Sequence, residues 1–163
     1  MSEKVISLKK DKSKAVNVIY GTVLALSLLT ALDHDGLTPS RTMVVVLVTL
    51  IGVWAAKSYA YVIGGELAYG FHAKFSELLE ILKETMWVLI PGIPILCLFT
   101  LAAGTIISLK AALYIAQWII VSFLFATGFW LRRQANGTFI KCVIDGLIDC
   151  SVGILIVGLK FLL

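Results

Sequence analysis

The chain has 163 residues, of which 60% are hydrophobic and 15% charged, with a mean hydropathy of +0.97 and a formal net charge of +4. A soluble domain this size has too little interior to hide so many apolar side chains, so the composition excludes an ordinary soluble enzyme. Most of the net charge comes from lysines in the first 14 residues. This marks topology at an anionic lipid surface and is not a nucleic-acid footprint.

The length suits one all-α bundle, a polytopic transmembrane domain over 1–163 with about five spans of roughly 20 residues each. Residues 1–14 read as a basic cytoplasmic tail, and 15–32 as the first span, retained rather than cleaved because more apolar runs follow it. Next comes Asp-His-Asp-Gly-Leu-Thr-Pro-Ser-Arg, where Gly36 and Pro39 disfavour a continuous helix and Ser40 is placed to cap the next one. His34 between Asp33 and Asp35 makes a poor metal site, and no metal or cofactor is expected.

The second span is predicted over 42–65. Gly52, Ala56, Ala60 and Gly64 recur every four residues, a ridge that lets another helix approach closely. Lys57 and Tyr61 lie beside it. Residues 66–84 then read as an amphipathic cytoplasmic helix, with Leu67, Phe71, Phe75, Leu78 and Leu82 on one side and Glu66, Glu80 and Glu84 on the other. Two readings are open: a connector whose stripe packs on the bundle or lipid, or a helix that binds a partner. His72 reads as solvated.

The third span is expected over 85–109, interrupted by Pro91-Gly92-Ile93-Pro94. Pro91 and Pro94 remove backbone donors, which gives either a passive kink or a break lining a cavity. Glu84 just before it reads as a headgroup-level anchor in preference to a gate residue. The fourth span is predicted over 111–131 and the fifth over 142–163, where Lys160 would snorkel outward. Trp54, Trp87, Trp118 and Trp130 read as membrane aromatics. Cys97, Cys142 and Cys150 form no Cys-x-x-Cys pattern and read as small buried packing residues.

Orientation follows from the basic residues, which collect on the cytoplasmic side. With the N-terminus inside, that side holds Lys4, Lys9, Lys10, Lys12, Lys14, Lys74, Lys83, Arg132, Arg133 and Lys141, against Arg41 and Lys110 outside. Five spans then put the C-terminus outside. The sequon Asn136-Gly137-Thr138 falls on the cytoplasmic side and carries little weight.

Three charged residues fall within apolar runs. Lys57 lies about eight residues inside the cytoplasmic end of its span, roughly 12 Å deep, and Asp145 and Asp149 lie roughly 6 and 12 Å into the fifth. Cys142, Asp145, Gly146, Asp149 and Gly153 share one helical face, expected to point into the bundle. Pairing of Lys57 with the aspartates, assisted by the Tyr61 hydroxyl, would reduce the cost of keeping them in the membrane. Such a cluster serves either as a proton or cation relay or as a structural ion pair.

Three motifs, Tyr20-Gly21-Thr22, Trp54-Ala55-Ala56-Lys57-Ser58-Tyr59-Ala60 and Trp130-Leu131-Arg132-Arg133, resemble those of a group of small uncharacterised bacterial integral membrane proteins. The resemblance implies a multi-pass protein of a bacterial cytoplasmic (inner) membrane and no known activity. That group would carry a histidine where this chain has Lys57. The expected function is a small ion-conducting or transport protein using buried charges. The alternative is a non-catalytic membrane subunit or immunity-type factor docking a larger partner. The lipid bilayer is the expected environment and a homo-oligomer or a larger membrane protein the expected partner. No catalytic residue is expected, because no activated nucleophile or metal set stands at an evident aqueous pocket.

Overall fold

The computed structural model describes residues 3–32, 38–69, 75–135 and 137–159, and these form helices joined by short turns, with no strand among them. His34, Gly36, Phe71, His72, Asn136 and Lys160 lie outside the described residues. The first helix, α1, spans Glu3–Leu32. It begins well before the apolar run, so the helix continues through most of the basic segment read as a tail. Its apolar part is Ser13–Leu32. Hydroxyls in it are satisfied locally: Thr22 Oγ1 donates to the Val18 carbonyl at 2.6 Å and Thr30 Oγ1 to that of Leu26 at 2.8 Å. Back-bonding to the preceding turn lets hydroxyls sit in an apolar environment without orphaned donors.

The second helix, α2, spans Pro39–Tyr69. It starts one residue before Ser40, the expected cap. Proline suits the first helical position because its φ is already helical and no hydrogen bond is asked of its nitrogen there. The helix also runs past residue 65, so Leu67, expected on the amphipathic stripe, belongs to its end and is 83% exposed.

The predicted third span is reorganised. A short amphipathic helix, α3, covers Phe75–Thr85, a 3₁₀ turn covers Met86–Leu89, and α4 covers Gly92–Ala103. The segments before and after the break are bent by 53°. Pro91 caps α4 and Pro94 stands in its first turn, where a missing N–H costs nothing, so the prolines start a helix rather than kink one. At 12 residues, α4 is about 18 Å long, short of the roughly 30 Å hydrocarbon core. Phe75 is 77% exposed, so the inward face of α3 is Leu78, Ile81, Leu82 and Thr85.

A tight turn joins α4 to α5, which spans Leu109–Gln134. The N–H of Ile106 returns to the Leu101 carbonyl and that of Thr105 to Ala102, a Schellman arrangement, with Thr105 left-handed at φ 61°. Ser108 opens α5, its hydroxyl accepting from Ala111 N at 3.2 Å. The last helix, α6, spans Phe139–Leu159.

Helix α1 is the hub, packing against every other element. Around it Leu26, Leu29, Ile95, Phe99, Ile120 and Leu124 form the core. The most intimate pair is α5 with α6. A Cβ built on Gly146 would lie 2.9 Å from the Phe125 carbonyl oxygen, and one on Gly153 2.9 Å from Leu124 Cδ1. Lipid tails are as apolar as leucine, so such close approach, rather than the hydrophobic effect, holds membrane helices together.

By length and composition, the apolar helices Ser13–Leu32, Pro39–Gly65 and Leu109–Gln134 are able to cross a bilayer, and the bent pair Phe75–Leu89 with Gly92–Ala103 makes a fourth if it counts as one span. Helix α6 is not among the three, for it carries Lys141, Asp145 and Asp149 in its first half.

Candidate functional site

The expected charge cluster is divided between two places. Asp145 pairs with Arg132, whose Nε lies 3.1 Å from Oδ2, with 43% and 39% of the two side chains exposed. Arg132 closes α5 and Asp145 lies in the second turn of α6, so a short hairpin turn brings them together. Lys57 lies elsewhere, its Nζ 4.1 Å from the centre of the Tyr20 ring on α1. A cation over an aromatic face is attracted by the ring quadrupole, by about 0.5–2 kcal/mol according to desolvation. Tyr61 stands on a more exposed part of α2, and the aromatic partner of Lys57 is Tyr20.

Asp149 is half-buried and forms neither an ion pair nor a hydrogen bond among the described residues. Its carboxylate lies directly over Gly128 of α5, where a Cβ would overlap Oδ2 and stand 3.0 Å from Cγ. Gly128 is thus what gives the carboxylate room. Asp145, Asp149, Arg132, Gly128, Leu131 and Ile148 line an open groove of about 420 Å³ between α5 and α6. Of the α6 face expected to turn inward, Cys142, Gly146 and Gly153 are buried, whereas the two aspartates stand at its rim. Asp149 lies ten residues after Phe139, about 15 Å along the helix. An ionised carboxylate at mid-membrane costs about 2.5–3.5 kcal/mol on insertion scales.

The small-residue ridge on α2 also faces outward. Gly52, Ala56, Ala60 and Gly64 are all exposed, and a Cβ on Gly52 or Gly64 would meet nothing within 4 Å. Only 17% of the α2 span is buried, against 50% for α1 and 39% for α5.

A second polar cluster ties the helix break to its neighbours. Carbonyls near the end of α3 receive hydrogen bonds from side chains of α1 and α2. Asn17 Nδ2 donates to the Glu84 carbonyl at 2.8 Å, and Trp54 Nε1 to that of Leu82 at 3.3 Å. Ser58 Oγ and Thr85 Oγ1 share a hydrogen bond of 2.6 Å in a buried setting. Trp54, read as a plain membrane aromatic, is therefore a ligand of the break. Lys14 Nζ stands 5.1 Å from the centre of the Trp87 ring on the same side. Asn17 Oδ1 and Gln117 Nε2 are buried without a hydrogen-bond partner. Gln117 lines a cavity of about 280 Å³ with Tyr114, Trp118, Val121, Ile154 and Val157.

Of the cysteines expected to be buried, Cys142 is, Cys150 is partly so, and Cys97 is exposed on the outer face of α4. No cluster of three or more metal-ligating side chains occurs among the described residues. Leu26, Leu29, Phe99, Ile120 and Leu124, at the centre of the bundle, are each at most 1% exposed. No protein family model, curated protein or solved structure matches the chain, so the resemblance to small bacterial membrane proteins rests on the sequence motifs alone.

Proposed function

We propose that this is a multi-pass protein of a bacterial cytoplasmic membrane that works as a non-catalytic assembly subunit, docking a further membrane helix on α2. The observation that carries this reading is the exposure of α2. A span with a small-residue ridge and only 17% of its residues buried lacks the helix that such a ridge accommodates. Five crossings, with the N-terminus cytoplasmic, fit the distribution of basic residues. In that arrangement α3 to α4 is the third crossing and α6 the fifth, its charged first half kept near the cytoplasmic headgroups by Arg132. The test is disulfide crosslinking in native membranes from Ala56→Cys and Ala60→Cys, in a background where Cys97, Cys142 and Cys150 are serine. The reading expects crosslinked species from the ridge and none from Ser76→Cys; equal crosslinking from both positions counts against it.

A proton or cation carrier is the second reading, supported by the unpaired Asp149 carboxylate in its groove. Flux into proteoliposomes that is abolished by Asp149→Asn, with the fold intact, is its expected result.

A further inference from the structure

We infer that the helix docking on α2 belongs to a second copy of this chain, seated so that Lys57 of one copy pairs with Asp149 of the next. The inference rests on the assembly reading above and names its partner. Lys57 lies eight residues from Gly65, the end of the apolar run, and Asp149 lies eight residues from Lys141, the first charge of α6. At 1.5 Å per residue both stand about 12 Å from the same membrane face. They carry opposite charges and neither has an ionic partner among the described residues: Lys57 rests on the Tyr20 ring, and Arg132 takes Asp145 rather than Asp149.

The surfaces around the two charges match in relief as well. Lys57 is next to Ala56 and near Ala60, with open space over Gly52 and Gly64, so the α2 backbone is free to enter a shallow groove. The acidic groove, about 420 Å³ and floored by Gly128, is such a receptor. The contact is heterologous, α2 of one copy against α5 and α6 of the next, so repetition closes a ring or continues as a row. It would neutralise the depth-matched charges and cover the least buried span at once.

The test is association between donor-labelled and acceptor-labelled copies in proteoliposomes, read by energy transfer at a fixed protein-to-lipid ratio. Lys57→Asp and Asp149→Lys, each alone, are expected to weaken self-association at least about tenfold by setting like charges face to face. Mixing the two variants restores it, because each interface then carries one lysine and one aspartate. Rescue in trans cannot arise from a pairing within one chain. Circular dichroism and gel filtration establish that each variant is folded. Should a reversal fail to insert, Lys57→Gln and Asp149→Asn replace it; each is expected to weaken association, and the double variant to be no worse than either single one.

Self-association that ignores all these substitutions overturns the pairing while leaving the assembly reading in place. Copies that stay monomeric while the ridge cysteines crosslink to a different protein overturn the second copy as partner. Monomers with no ridge crosslinks at all overturn both.

Discussion

Replacing Gly21 by alanine tests the packing at the centre of the bundle. A Cβ there would overlap the backbone oxygen of Val88 and stand 2.9 and 3.1 Å from its C and Cα. All three are backbone atoms of the 3₁₀ turn, so no side chain is free to swing aside. Relief requires α1 and the turn to separate by roughly 1 Å, and overpacking of this kind costs about 1–3 kcal/mol. The same separation stretches the Asn17 to Glu84 bond, now 2.8 Å, and a hydrogen bond of this kind contributes about 1 kcal/mol. The expected loss is therefore about 2–4 kcal/mol. Gly52→Ala and Gly64→Ala are the controls, since a Cβ at either position meets nothing. In a monomeric detergent state both should change stability by no more than about 0.5 kcal/mol, toward stabilisation because alanine is the better helix former. The assay is reversible unfolding in mixed micelles followed by circular dichroism. A Gly21→Ala protein as stable as its parent would refute the close approach of α1 to the turn, and with it the placement of the break.

Other substitutions probe separate links. Asn17→Leu leaves the Glu84 carbonyl without its donor and should cost about 1–2 kcal/mol in the same unfolding assay, whereas Trp54→Phe should cost about 1 kcal/mol or less because its bond is longer. Asp145→Asn removes a pair whose members are about two-fifths exposed, so unfolding should report a loss below about 1 kcal/mol. Thr105→Gly should raise stability by about 1 kcal/mol in that assay, because a β-branched residue at φ 61° is strained and glycine is not.

Much of the fold was legible from run length. The apolar runs at 15–32, 42–65 and 111–131 match the cores of α1, α2 and α5, because a stretch with few polar residues has one low-energy solution in lipid. The break near Pro91 was legible as a break, yet its form was not. Proline marks a helix boundary without saying which side of it is helical, and the boundary was fixed by Asn17, Trp54 and Ser58, which are 27 to 67 residues distant from their partners. The α2 ridge was found by its spacing, while its outward aspect depends on which helices pack beside it. The aspartates were located as costly residues, but depth and helical face alone paired them with Lys57. The Arg132 partner follows from the short turn between α5 and α6, a local constraint that outweighs matched depth. Tyr20 stood in a motif already singled out, but its ring carried no sign that it receives a lysine.

The matched depth of Lys57 and Asp149 depends on the proposed topology, five crossings with the N-terminus in the cytoplasm. Single cysteines at Thr38, Ser76, Thr105 and Thr138, all exposed, placed in a chain whose native cysteines are serine, report the side of each turn to a membrane-impermeant maleimide. Thr38→Cys and Thr105→Cys are expected to be labelled in intact cells, and Ser76→Cys and Thr138→Cys only after the membrane is opened. Labelling of Ser76→Cys or Thr138→Cys in intact cells would contradict that topology.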